Sequence, residues 1–422
     1  MSHGVASTAA GGRIVFLDYL RAVAVLLVVW GHVFIVGVNN PESITPWLPA
    51  QTSNVFGPSV VFTNPHGQLD LFFVLRFGVS SGPLGVALFF LISGFVILRS
   101  VDTIPPAAFL IQRAFRIFPT CAAVVVAVSL LTALYCSVTG TTNPHSLIST
   151  VASSFALSGF FQVMGTLPVL WSLTVELLFY LLIALSVALC GRLGFRALLG
   201  MALLLLVAVG VLNSTDLGAV LSGPGWARLI YASSLLIHII FMLVGSALYR
   251  GMSENRPGTA AIGGAAIFGV YLAAYALYGH LRGAVHIGTT PNDAVAALGI
   301  MVAAYWAGLS WRWLRPLKFV ADISYPLYLV HTPLGWAVLV GLGAIGWNLH
   351  AAAIVATLIL VLLAWGLHVA VELPSQQLGK RLTRRWKAPV AQEKPIPAPG
   401  KDVTVAALYP REAPPLGAAK GA

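Results

Sequence analysis

The chain has 422 residues, of which 58% are hydrophobic and only 9% charged, against about 25% charged in an ordinary soluble domain. That balance excludes a water-soluble globular protein and marks an integral protein of the lipid bilayer. The net charge of +11 then belongs to basic cytoplasmic loops and a basic tail, and no nucleic-acid partner is expected.

A membrane span takes about 20 apolar residues. Residues 1–13, MSHGVASTAAGGR, lack the basic start and cleavage pattern of a secretory signal. They read as a short cytoplasmic tail before a retained first span at 14–38. That span contains FLDYLRAVAVLLVVWGH, residues 16–32, and so places Asp18, Arg21 and His32 in hydrocarbon. A charge near a helix centre costs roughly 2.5–3.5 kcal/mol or more. Asp18 and Arg21 are three apart, so they share a helical face and can pair. His32 follows Arg21 by eleven residues, a rotation within roughly 20° of whole turns and about 16 Å along the axis. One polar stripe therefore runs along an apolar helix, and it is expected to face the bundle interior. Each residue alone also fits a structural reading: an interfacial ion pair for Asp18 and Arg21, a satisfied polar residue for His32.

The stretch 39–83 carries Pro41, Pro46, Pro49, Pro58, Pro65 and Pro83 and reads as a long outer loop over the mouth of the bundle, a kind of loop that is often functional. In the second span, 84–100, Ser93 and Gly94 mark close helix packing. Arg113 and Arg116 lie three apart on one face just before the third span, 118–138, where a basic pair also serves to orient a membrane protein. The segment 146–162 is short and rich in serine. The fourth span, 168–190, opens with WSLTVELLFY, which puts Ser172 and Glu176 four apart on one face. Trp171 beside them fits an interfacial anchor as well as a sugar-stacking platform. Further spans fall near 195–213, 228–250, 259–279, 293–310, 319–341 and 349–373. His331, in the ninth, either lines the same cavity as His32 or is a bonded core residue. His238 and His368 lack motif context and read as structural. Cys121, Cys136 and Cys190 show no paired spacing and read as core. No cluster has metal-ligand spacing, so no metal is expected.

If 146–162 does not cross, Arg13, Arg99, Arg113, Arg116, Arg192, Arg196, Arg250, Arg256, Arg312, Arg315 and Lys318 all fall inside with the tail, and only Arg76, Arg228 and Arg282 fall outside. The excess of inside charge favours that arrangement. The expected fold is an all-α bundle of about ten transmembrane helices with both termini cytoplasmic. The segment 146–162 would be re-entrant or interfacial on the outer face, and residues 386–422 a disordered basic Pro/Ala-rich tail. Intramembrane charges also suit a transporter or flippase of lipid-linked sugar, and a scaffold in a polysaccharide-assembly complex is a further alternative. No internal repeat or matched pair of broken helices supports transport.

The pattern LDxLRxxAxLxVxxxH at 17–32 resembles the opening of the membrane-bound acyltransferase 3 family. GVALFFLISGFVI (85–97), RAFR (113–116), WSLTVELLFY (171–180), SYPLYLVH (324–331) and VELP (371–374) resemble its later motifs in order. The resemblance covers roughly residues 14–385, taken as one transmembrane domain. Ala87 departs from it, since many members carry aspartate there. The resemblance implies an enzyme of the cell inner membrane. It would transfer an acyl group, usually acetyl, from acyl-coenzyme A to a hydroxyl of a surface polysaccharide, lipopolysaccharide or small exported molecule such as a macrolide. His32 matches the family's essential first-helix histidine and would act as general base. Arg113 and Arg116, aided by Arg21, would grip coenzyme A phosphates. Ser172 and Glu176 would complete the catalytic group, with Glu176 orienting His32 or binding an acceptor hydroxyl. Asp18, Trp171 and His331 are expected cavity-lining residues. Many members carry an esterase-like domain after the bundle. The tail here is too short for one, so the chain is expected to act alone or with a separate acyl-relay or polysaccharide-assembly partner.

Overall fold

A computed structural model describes residues 14–37, 65–214, 223–283, 288–307 and 315–386. Both expected tails and most of the proline-rich 39–83 stretch lie outside those residues, apart from Trp386, which ends a 3₁₀ turn. Among the described residues every regular element is helical.

Helix α1 (Val15–Val29) passes without a break into π-helical turns at Trp30–Val36, making one 22-residue span. The expected loop then contains a helix of its own, α2 (Pro65–Phe77). Helix α3 (Ser81–Thr103) ends before Pro105 and Pro106, and Pro106 opens α4 (Pro106–Thr139). Proline at a first helical position has no orphan N–H to lose and a φ already set for helix. As a result α4 starts well before the expected boundary at 118 and takes Arg113 and Arg116 into its body. The segment 146–162 folds into two pieces too short to cross, α5 (Leu147–Ser154) and α6 (Ser158–Phe161). Its serines are the pins of this hairpin. Ser146 caps α5 by accepting from the Ser149 N–H, Ser153 accepts from the Thr166 N–H at 2.9 Å, and Thr150 pairs with Ser129 of α4 at 3.0 Å.

Long helices follow at α7 (Leu170–Cys190), α8 (Phe195–Leu212), α9 (Pro224–Ser253) and α10 (Pro257–Arg282). Helix α11 (Pro291–Trp306) has 16 residues and falls short of a full span. The expected ninth span, 319–341, is not one helix. It breaks into α12 (Arg315–Asp322), α13 (Ser324–Val330) and α14 (Pro333–Ala344), with a bend of 55° between the last two. Pro333 explains the break: it cannot donate to the Leu329 carbonyl one turn back, and its ring crowds that carbonyl. Helix α15 (Leu349–Leu367) continues through a π turn at His368–Glu372 into α16 (Leu373–Leu382). Among the described residues eight helices are long and apolar enough to cross, or nine with the bent pair as one span. About ten were expected, and the multi-helix membrane bundle agrees; the expected 293–310 span corresponds to the 16 residues of α11.

Helices α3 and α9 are central, with 67% of their most apolar stretch buried, whereas α8 and α15 have 17% and turn apolar sides to lipid. Lipid tails give helices no hydrophobic reason to associate, so close packing must hold the centre together. A methyl group added at Gly94 would strike the Met242 carbonyl, and one at Gly245 the Leu91 carbonyl. In that contact Ser246 donates to the Gly94 carbonyl at 2.8 Å.

Three contacts fix which helix ends share a face. Arg250 donates to both oxygens of Asp102 at 2.7 and 3.2 Å, Arg192 pairs with Glu254 at 3.2 Å, and Gln112 donates to Thr383 at 2.7 Å. At the opposite face the Ser80 N–H donates to Asp293 at 3.1 Å and Arg282 donates to Asn213 at 2.8 Å. Consecutive long helices therefore run antiparallel, and the first face gathers most of the basic residues.

Candidate active site

Helices α1, α3, α4, α7 and α13 surround a cavity of ≈ 760 Å³, including its open mouth. Helical periodicity chooses what each presents to it. Arg113 and Arg116 come from one face of α4, Ser172 and Glu176 from one face of α7, and Arg21 from α1. The cavity thus brings together five of the candidate site residues read from the sequence, supplied by three separate helices.

The arginines are held in different ways. Arg21 pairs with the buried Asp18 at 3.3 Å. Asp18 itself does not line the cavity; it steadies a residue that does. Arg113 lies over the rings of Phe109 and Tyr180, 5.1 and 5.4 Å from their centroids, and donates to Ser100 at 2.9 Å. Its flat face is occupied and its edge donors are aimed. Arg116 lines the same cavity and makes no hydrogen bond or ion pair among the described residues.

Glu176 accepts hydrogen bonds from Ser93 at 3.0 Å and Tyr180 at 2.5 Å. The contact expected between Glu176 and His32 is not formed. The carboxylate points across to α3 and along its own helix instead. Ser93, read above as a packing residue, is thereby a polar wall of the cavity. Ser172 donates to the Val169 carbonyl at 2.9 Å and lies 2.6 Å from the Tyr328 hydroxyl.

His32 does not line the cavity. It sits in the π-helical turns of α1, a local irregularity frequent at functional sites. Its carbonyl accepts from the Gly37 N–H five residues on and from the Trp336 indole at 2.9 Å. Its Nδ1 lies 2.9 Å from the Val28 carbonyl. A carbonyl can only accept, so Nδ1 carries the proton and Nε2 keeps its lone pair. The His331 ring meets the His32 ring edge to face, with centroids 4.9 Å apart. His331 does not line the cavity either, because it is fully buried at the break between α13 and α14. Tyr328, one turn before it, belongs to both places: it lines the cavity, and its ring centroid is 5.5 Å from that of His331.

Trp171 is also absent from the cavity wall. It packs on His238 and Phe90, with centroids 5.2 and 6.1 Å away. Gly288, at φ +85°, lies against its ring so closely that an added Cβ would collide. Cys121 and Cys136 are buried, but Cys190 is exposed at the end of α7 rather than in the core. Tyr180 and Tyr328 escaped the sequence reading. Both stand at helical spacing from residues already singled out, four after Glu176 and three before His331, and that spacing could have found them. Among the described residues no three His, Cys, Asp or Glu side chains converge as a metal site would need.

The sequence model of a family described as an acyltransferase domain, of the acyltransferase 3 type, matches residues 14–369. No curated protein and no solved structure matches the chain.

Proposed function

The chain belongs to the acyltransferase 3 family, and from that premise we propose that it carries an acyl group, acetyl in the first instance, from cytoplasmic acyl-coenzyme A to a glycan hydroxyl across the membrane. The observation that supports this most is the convergence of Arg21, Arg113 and Arg116 on one cavity. Planar guanidinium forks match phosphate oxygens, and coenzyme A presents several phosphates. Arg113 bonds Ser100 near the end of α3 that carries Asp102, so the nucleotide would dock toward the basic face, which this reading makes cytoplasmic. On this reading both termini would lie on that side.

The pantetheine arm would run past Ser93 and Glu176 toward Tyr328, with the thioester beyond it at His32. Neutral His32 takes the acceptor hydroxyl proton on Nε2 as the hydroxyl oxygen attacks the thioester carbonyl. The carbon–sulfur bond then breaks, and the proton passes from Nε2 to the departing sulfur. An O-acyl ester and free coenzyme A thiol result, and His32 is neutral again. Ser172 and Glu176 serve this reading as walls that place the arm, and Asp18 as the holder of Arg21. Exopolysaccharide or lipopolysaccharide would supply the acceptor, delivered where needed by a polysaccharide-assembly or acyl-relay partner.

Proton NMR of O-acyl esters on isolated surface polysaccharide tests the reading in three strains: deleted for the gene, complemented with wild type, and complemented with His32→Ala at equal membrane levels. The ester signal should vanish on deletion, return with wild type and stay absent with His32→Ala. An unchanged signal in all three removes the surface glycan as acceptor and directs the search to small exported molecules.

A further inference from the structure

We propose that His331 is a positioning residue for His32, stabilising the imidazolium that His32 becomes during transfer; this rests on the acyl-transfer reading above. The His331 side chain has no exposed surface. Its Nδ1 lies 2.6 Å from the Tyr328 carbonyl, so Nδ1 carries the proton and donates, as in His32. Nε2 of His331 is left as a lone pair. That atom is buried and has no hydrogen-bond partner among the described residues. Buried polar atoms in native proteins are nearly always bonded, and an unmet one asks for an explanation.

The neighbour supplies one. The His331 ring is in edge-to-face contact with the His32 ring, at 4.9 Å and an interplanar angle of 76°. While both rings are neutral, two uncharged imidazoles gain little from that contact. When His32 takes the acceptor proton on Nε2, a positive ring appears beside a fixed dipole already shielded from water. A dipole set before the charge develops needs no reorganisation at the moment of reaction. His331 is also held at a bend in the chain. It closes α13 at a proline-enforced break, with its Nδ1–H tied back to the preceding turn. Trp336, just beyond the break, reaches back to the His32 carbonyl, so the two histidines are fastened to each other through backbone as well as by their rings.

Release of free thiol from acetyl-coenzyme A, measured in native membranes that hold the protein and its own acceptor, tests the assignment with three variants at equal membrane levels. His331→Gln keeps an acceptor near the Nε2 position, His331→Phe keeps only a ring, and His331→Ala keeps neither. The Phe and Ala variants should lower kcat on the order of 10- to 100-fold, by analogy with the loss when the hydrogen-bond partner of a metal-bound histidine is removed. The KM for acetyl-coenzyme A should not move, because the arginine cavity is untouched. The Gln variant should recover most of the loss. Wild-type kcat in all three, equal loss in Gln and Phe, or a KM that rises as kcat falls would each overturn the role of His331. A wild-type protein that releases no thiol, with His32→Ala indistinguishable from it, would instead bring down the acyl-transfer reading on which the role depends.

Discussion

Arg113 and Arg116 are three residues apart on α4, yet their surroundings differ. Arg113 is clasped by two aromatic rings and a serine hydroxyl, while Arg116 has no such partner among the described residues. A lysine at 113 would keep the charge but lose the planar stack and the fork. Hydrogen bonds to charged groups contribute about 1.5–3 kcal/mol. Arg113→Lys should therefore weaken coenzyme A binding by roughly 10- to 100-fold, read by calorimetry on the purified protein in detergent. An unchanged Kd would remove Arg113 from the donor site. At this scale the sequence is legible where partners are local. The Asp18–Arg21 pair follows from a three-residue spacing, and the Tyr180–Glu176 bond from a four-residue one. The Ser93–Glu176 bond spans 83 positions and two helices, and no local period contains it.

Single helices were easier to foresee than their interruptions. Runs of apolar residues announce spans because a helix satisfies every backbone group within itself. The π turns around His32 and the bend after His331 needed more. Pro333 marks the second in the sequence, but nothing in composition marks the first. Contacts between elements depend on small residues in an exact register, and α3 against α9 shows the consequence. Gly94→Ala would drive a methyl into the Met242 backbone, whereas Gly200→Ala on α8 meets nothing within 4 Å. Overpacking of this kind costs about 1–3 kcal/mol. Thermal unfolding in detergent should show a lower Tm for Gly94→Ala and no change for Gly200→Ala. Equal Tm values for the two would mean that the α3–α9 contact yields without cost.

At the scale of the molecule, the basic face and the alternating helix directions make a testable statement about orientation. Asn143 lies after α4 on the face of Asp293, and Glu254 after α9 on the face of Asp102. In a cysteine-free background, Asn143→Cys should react with an impermeant maleimide in intact cells, and Glu254→Cys only after the membrane is opened. The reverse pattern would invert the protein and put the arginine cavity out of reach of cytoplasmic acyl-coenzyme A. The sequence by itself determined the medium, the helical class and the family, and its charge asymmetry favoured a 146–162 segment that does not cross, because hydropathy, charge asymmetry and short motifs are properties of consecutive residues. Only the tertiary structure decided that the three arginines share one cavity, that Glu176 reaches Ser93 on another helix rather than His32, and that His32 is paired with His331 behind Tyr328. The physical reason is that each of those contacts joins helices far apart in the chain. Their rotation and depth are set by how small residues let backbones approach, and no single helix carries that information.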